Sequence, residues 1–132
     1  MLKKVLDFLV TAGTFYLATV EGDQPRVRPM GLVMMHDGQL CFSTNNRKPM
    51  FAQMAANPKV EFCAATPDGR WLRLSGTARV VTTLAAKQQA LDTMPMLQHL
   101  YTADDTLFEI FTLDNATATF QSMSGEKETI AL

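Results

Sequence analysis

The sequence predicts a mainly β, α+β fold: six or seven antiparallel strands forming a small Greek-key barrel, with short helices at its periphery. Three observations lead there. Short apolar runs such as FYLATV, LCFS and VEFCAAT recur at close spacing along the chain. Turn sequences of hairpin length separate them, at Glu21-Gly22-Asp23-Gln24, His36-Asp37-Gly38 and Pro67-Asp68-Gly69. One short helix interrupts the strand series and the other helical patterns lie outside it, which suits the ends and seams of a barrel better than the faces of a sandwich. With 132 residues, 47% hydrophobic and 19% charged, the chain is read as one domain over residues 1–132 with its own core.

Taken in order, Leu2, Val5, Leu6 and Leu9 recur at i, i+3, i+4 and i+7, predicting an amphipathic helix stopped at Gly13. Phe15 to Val20 is a compact apolar strand, and Pro25 to Met35 runs back beside it. Pro29 and Gly31 in that return strand point to an edge or a bulge, where backbone approaches something closely. Leu40 to Ser43 is the next strand, followed by a polar turn, Thr44 to Asn46. A short helix then opens at Pro49, where a missing N–H costs nothing, and closes near Asn57-Pro58. Its pairs Met50/Met54 and Phe51/Ala55 give it a buried side. Lys59 to Thr66 and the alternating Arg70 to Thr82 are strands, the latter with Trp71, Arg73, Ser75 and Thr77 on one face. Thr82 or Thr83 caps a helix through about Thr93, ended by Pro95. Leu107 to Leu113 and Ala116 to Gln121 read as two last strands joined around Asp114-Asn115, with a loose polar tail from Ser124.

Charge is unevenly placed. The total is −1, yet the span from Arg26 to Arg79 holds eight Arg or Lys against three Asp or Glu, a net +5, leaving −6 for the two ends. A basic middle in a near-neutral protein suits a small anionic ligand better than nucleic acid, which usually calls for a basic domain. No apolar run approaches the roughly 20 residues that span a bilayer, and no cleavage-site pattern follows Lys3 and Lys4. A cytoplasmic protein is therefore expected, with Cys41 and Cys63 as small buried hydrophobes in a reducing compartment. His36 and His99 stand apart from any Cys or carboxylate at ligand spacing, so no metal site is expected. No nucleophile elbow, carboxylate pair or glycine-rich phosphate loop occurs, so an enzyme of this composition would draw its chemistry from a cofactor.

The stretch LCFSTNNRKPMFAQMAANPKV gathers the candidate site residues. Ser43, Thr44, Asn45 and Asn46 precede Arg47 and Lys48 at a helix start, where free N–H groups and the helix dipole favour a phosphate or carboxylate. An ordinary strand-to-helix turn with solvated charges has the same composition. Arg28 lies one strand earlier, and because adjacent strands are about 4.8 Å apart it is expected to reach the same anion as Lys48. Arg26 shares its face. Trp71 reads either as a packing residue or as an aromatic wall for a planar ligand.

The order YLATV, turn, PRVRPM, hairpin, CFSTNNRKPMFAQMAANPKVEFC, turn, RWLRLSGTARVV resembles the pyridoxamine 5′-phosphate oxidase-like flavin-binding split barrels, from about Phe15 to Val81. The P-x-x-R strand, the polar turn with R-K at a helix start, the following N-P and the R-x-x-R-x-x-G strand recur in the family's order. The resemblance implies an FMN cofactor whose phosphate is held by Arg28 and Lys48, with Arg47, Ser43 and Thr44 assisting. The backbone of the second strand, including Pro29, Met30 and Gly31, would flank the ring. It also implies a homodimer with cofactor sites at the interface, where Trp71, and less directly Arg73, reach over from the partner. The oxidase's carboxy-terminal tryptophan and arginine have no counterpart in the tail SMSGEKETIAL. The resemblance is thus to the compact relatives, which include flavin reductase-like, general-stress and nitroimidazole-resistance proteins, rather than to a vitamin B6 oxidase.

On this reading the protein is an FMN-dependent oxidoreductase passing hydride to or from a small substrate, with NAD(P)H as a possible donor. The alternatives are a flavin carrier or sensor without turnover, or a split barrel binding haem or a deazaflavin. A nucleic-acid-binding barrel stacking bases on Trp71 and Phe42 is the weakest.

Overall fold

The structure, a computed structural model, describes all 132 residues. After helix α1 (Leu2–Ala12) come strands β1 (Phe15–Glu21), β2 (Gln24–Met30), β3 (Met34–His36) and β4 (Gln39–Asn45). Helix α2 (Pro49–Ala56) precedes β5 (Lys59–Ala65) and β6 (Arg70–Val80). Helix α3 (Leu84–Thr93) and a 3₁₀ turn (Pro95–His99) then lead to β7 (Phe108–Ser122) and β8 (Lys127–Ala131). All eight strands join one antiparallel sheet, in the order β2-β1-β5-β6-β7-β4-β3, with β8 on β7. The two ends of that order, β2 and β3, are joined by residues 31–33 alone. The sheet must therefore roll up on itself, and its seam is this unpaired link: a split barrel.

The inside of the roll is aromatic. Phe15, Phe42, Phe62 and Phe111 are fully buried, and Phe42 lies 4.2 Å from Phe62, ring centre to ring centre. Each such side chain contributes on the order of 2–3 kcal/mol by burial. Helix α1 closes one end with Val5, Phe8 and Leu9. Helix α3 lies outside, where Ala86, Ala90 and Leu91 cover Cys41, Phe108 and Ile110 in a second, smaller core. No helix is long and apolar enough to cross a membrane.

Several expectations change. The return strand breaks at residues 31–33, because the link has to cross the seam, although β2 is an edge strand as Pro29 and Gly31 indicated. The two expected last strands are one, bent at Asn115, which takes φ 51°. Before the bend β7 pairs with β4 and after it with β8, while β6 follows it throughout and shifts register between Ser75 and Thr77. Gly76 sits at that shift, where an added Cβ would meet Asp114 O at 3.0 Å. The tail from Ser124 is not loose: Lys127–Ala131 is β8. The strand count is therefore eight rather than six or seven. Within α2 the buried side holds Met50, Gln53 and Met54, and excludes Phe51 and Ala55. Cys63 is exposed, on the outward parity of β5; Cys41 alone is buried.

Candidate functional site

Direct partners across an antiparallel pair share a face. Arg28 stands opposite Leu17, and Arg26 opposite Thr19, and both β1 residues are buried inside the roll. The two arginines of β2 therefore face inward, towards α2. β2 adjoins β1 and not β4, so the side-by-side path from Arg28 to Lys48 expected from sequence does not exist. They meet by another route. Helix α2 packs on β1, and its first turn closes over the inner side of the barrel edge. The result is a cavity of about 570 Å³ lined by Glu21, Arg26, Arg28, Pro29, Met30, Lys48 and the α2 residue Gln53.

The cations in this cavity are held differently. Arg26 donates through Nε and Nη2 to Glu21 Oε1, at 3.1 and 2.9 Å. Arg28 donates only to neutral oxygens, Nη1 to Leu17 O at 2.9 Å and Nη2 to Gln53 Oε1 at 2.8 Å. Burial pushes the Arg28 pKa down from its ordinary value. A guanidinium nevertheless stays protonated in proteins, so the cavity keeps its positive charge. Lys48, exposed at the N-cap of α2, forms no ion pair.

The turn before α2 is an Asx turn, with Asn45 Oδ1 accepting Arg47 N at 2.9 Å and Asn45 O accepting Lys48 N at 3.1 Å. Pro49 has no N–H, and Phe51 N returns to Lys48 O at 3.0 Å. The helix start thus has little free N–H to offer an anion, contrary to the sequence expectation. Asn45 and Asn46 are committed too, to Tyr101 Oη, Thr106 O and Glu109. Attraction for an anion falls to the side chains of Arg28 and Lys48.

Ser43 and Thr44 point to opposite faces of β4. Thr44 shares the inner face with Leu40 and Phe42, whereas Ser43 shares the outer one with Cys41 and α3. Only Thr44 is on the side of Arg28. Its Oγ1 is buried and has no hydrogen-bond partner, the one such side-chain atom in the protein. Arg47 is exposed at the turn, and Gly31 stands in the seam link with Met94 Cε 3.4 Å from where a Cβ would be.

Trp71 does not join this group. It lies on the outer face of β6 and lines a separate cavity of about 390 Å³ with Lys4, Phe8, Arg70 and Phe120. Phe42 is wholly buried, which removes it as a stacking platform for bases. His36 Nδ1 meets Gln89 Oε1 at 2.5 Å, and His99 is on the 3₁₀ turn; neither lines the Arg28 cavity.

Gln53 escaped the sequence reading. Its signal was present: Met50, Gln53 and Met54 share one helical stripe, and a polar residue on an apolar stripe needs a partner.

A family model described as pyridoxamine 5′-phosphate oxidase matches residues 1–120. No curated protein matches the chain. Among solved structures, a NimC/NimA family protein from Clostridium acetobutylicum is 42% identical, with 98% of this chain and 91% of that one covered and a TM-score of 0.94. A haem-binding protein from Mycobacterium smegmatis is 15% identical, covering 94% of this chain and 55% of its own, with a TM-score of 0.77. A pyridoxamine 5′-phosphate oxidase-related, FMN-binding protein from Nostoc punctiforme is 18% identical over 99% and 94%, with a TM-score of 0.66. At these last two identities the likeness is one of fold.

Proposed function

The chain belongs to the pyridoxamine 5′-phosphate oxidase-like split-barrel family, and on that premise we propose that it is a cytoplasmic, homodimeric FMN-binding oxidoreductase acting on a small substrate. One observation carries the cofactor reading: Arg28 and Lys48 line one cavity, and neither has a carboxylate partner. Two uncompensated positive charges on a concave surface match a phosphate, which carries close to two negative charges at neutral pH. The Arg28 fork supplies directed donors and Lys48 a mobile one. The orphaned Thr44 Oγ1 suits a further phosphate or ribityl contact, since a buried hydroxyl without a partner costs roughly 1–3 kcal/mol.

The donor set therefore fits FMN. Arg28 and Lys48 would hold the phosphate; Thr44 and Arg47 do not line the cavity and would assist from its surroundings, and Ser43, on the other face, would contribute only through its backbone. Pro29, Met30 and Gly31 at the seam would flank the ring. FMN, when bound, supplies two-electron chemistry that no side chain of this protein provides. The protein's part is to bind, orient and exclude water.

The outer face of β2, β1, β5 and β6 supports the dimer. Val27 is 69% and Tyr16 49% exposed there, with Cys63 and Ala65 exposed next to them and Trp71 at the far side. A second copy covering this face would remove that apolar surface from water. It would also let Trp71 of the partner subunit approach the cofactor.

A flavin carrier or sensor without turnover is favoured by one feature. The only acidic group at the cavity, Glu21, is tied to Arg26 and faces Gln53 Nε2 at 3.5 Å, so no free acid or base stands there. Haem or a deazaflavin would have to use the same cavity, which has no histidine.

The test is to load the purified protein with FMN, desalt it and record its flavin absorption, with sedimentation to read the oligomeric state. Retained flavin in a dimer is expected. A colourless protein would overturn the cofactor reading. Anaerobic NADH or NADPH then separates enzyme from carrier, since only the enzyme bleaches the bound flavin and recovers it on adding an acceptor.

A further inference from the structure

Gln53 is 7% exposed, on the inner side of α2, and its side chain lies at the centre of a polar network. Its Oε1 accepts from Thr19 Oγ1 at 2.5 Å and from Arg28 Nη2 at 2.8 Å. Its Nε2 faces Glu21 Oε2 at 3.5 Å. Thr19 is itself 2% exposed, so the acceptor that fixes Arg28 is fixed in turn from inside the barrel. Leu17 O takes the other terminal nitrogen of Arg28 at 2.9 Å. The guanidinium is thereby held at two points, and Nε–H and the remaining Nη hydrogens are left for a ligand.

The choice of amide matters. A carboxylate at this position would orient Arg28 equally well, but it would also neutralise it, as Glu21 neutralises the neighbouring Arg26. An amide oxygen orients without cancelling the charge. Resting on the flavin reading above, we infer that Gln53 is a positioning residue that sets the preference of the site for a phosphorylated flavin over an unphosphorylated one. It does so by locking the Arg28 fork while leaving its charge uncompensated. Thr19 holds Gln53 in that role.

The experiment compares FMN with riboflavin, titrated against the full chain by quenching of flavin fluorescence, for the wild type and two variants. Gln53→Glu retains the shape and places a negative charge beside Arg28. Gln53→Met removes the acceptor, and its side chain suits a helix already holding Met50 and Met54. The wild type is expected to favour FMN. Gln53→Glu should weaken FMN binding by about tenfold or more, and Gln53→Met by roughly three- to tenfold, with riboflavin affinity within about twofold of wild type in both. Unchanged riboflavin binding also reports that the variants are folded, and far-ultraviolet circular dichroism checks this independently. If both variants keep the wild-type ratio of FMN to riboflavin affinity, the inference is overturned. An equal loss of both flavins overturns it as well, because that would mark Gln53 as merely structural. If wild type itself does not distinguish the two flavins, the phosphate reading of the cavity fails instead, and the two failures are separable.

Discussion

Two cations are drawn out of solvent at helices on opposite sides of the sheet, and they are treated in opposite ways. Lys87 of α3 has a side chain 7% exposed and donates to Asp105 O at 2.7 Å and to Asp105 Oδ1 at 3.2 Å. Asp105 also accepts backbone N–H groups from Thr102, Leu107 and Phe108. That cluster is closed, with its charges balanced inside the protein and its geometry serving to pin the chain between α3 and β7. Arg28 is also partly buried, yet its partners are a main-chain carbonyl and the Gln53 amide, so its charge points into a cavity unbalanced. A buried ion pair with its own acid is a structural clasp. An oriented cation without one is the basis of the anion site proposed above.

The comparison breaks most sharply if the two clusters are exchanged in function. Replacing both Arg28 and Lys48 by alanine should cost about 3–6 kcal/mol of FMN binding, at roughly 1.5–3 kcal/mol for each charged hydrogen-bond partner. The melting temperature without ligand should hardly fall, because the mutual repulsion of the two charges is relieved. Calorimetric titration together with thermal melts reads both. FMN affinity equal to wild type would show that the charge in this cavity does not serve the phosphate.

Asp105→Ala should do the reverse. It strands Lys87 with no acid and leaves three backbone donors without their acceptor, which should cost about 3 kcal/mol of stability. Flavin affinity of the folded fraction should stay near wild type. A loss of flavin binding at unchanged stability would mean that the closed cluster is part of the site.

The same carboxylate gives the closed cluster a pH signature. Burial opposes its ionisation, but the N–H groups of Phe108, Thr102 and Leu107 and the Lys87 ammonium outweigh it, holding its pKa down at about 2. An ordinary Asp titrates near 4. Because the folded value is the lower one, the stabilisation is fully present above about pH 4 and is lost as pH falls towards 2, amounting to about 1–2 kcal/mol after screening. Asp68 and Asp114 are also lowered, by hydrogen bonds from Thr66 and Arg70 and from Arg79 respectively, so the wild type alone cannot isolate Asp105. The difference between the wild type and Asp105→Asn can: urea midpoints of the two should converge between pH 4 and pH 2. Parallel curves would refute the assignment.

What could be read in the sequence divides along similar lines. The hairpin turns, the apolar strands and the cap at Thr83, whose Oγ1 accepts Ala86 N at 3.0 Å, are local features that short windows encode. Arg28 and Lys48 were legible because charge at a helix start and in a Pro-rich strand stands out. Their route to one another was not, since it depends on β2 pairing with β1 and on α2 docking over the barrel edge. β7 read as two strands because Asp114-Asn115 is a good turn sequence. Only the pairing with β6 on both sides of Asn115 keeps the strand whole. β8 has one buried apolar residue, Ile130, in a polar segment, and a signal that slight is invisible before its partner strand is known.

Thr44 offers the finest test of open against closed. Its Oγ1 is desolvated without a hydrogen bond, so the ligand-free protein bears a cost that valine, nearly the same shape and well suited to a strand, would remove. Thr44→Val should therefore stabilise the free protein by up to about 1 kcal/mol, read from urea unfolding. If the hydroxyl serves the cofactor, the same substitution should weaken FMN binding by roughly five- to tenfold, the worth of one hydrogen bond to a charged or polar ligand atom. The two effects have opposite signs in stability and in affinity, which no simple packing defect would produce. A variant less stable than wild type, with flavin affinity untouched, would show that the hydroxyl finds a partner within the protein, and Thr44 would then belong with the closed side of the molecule.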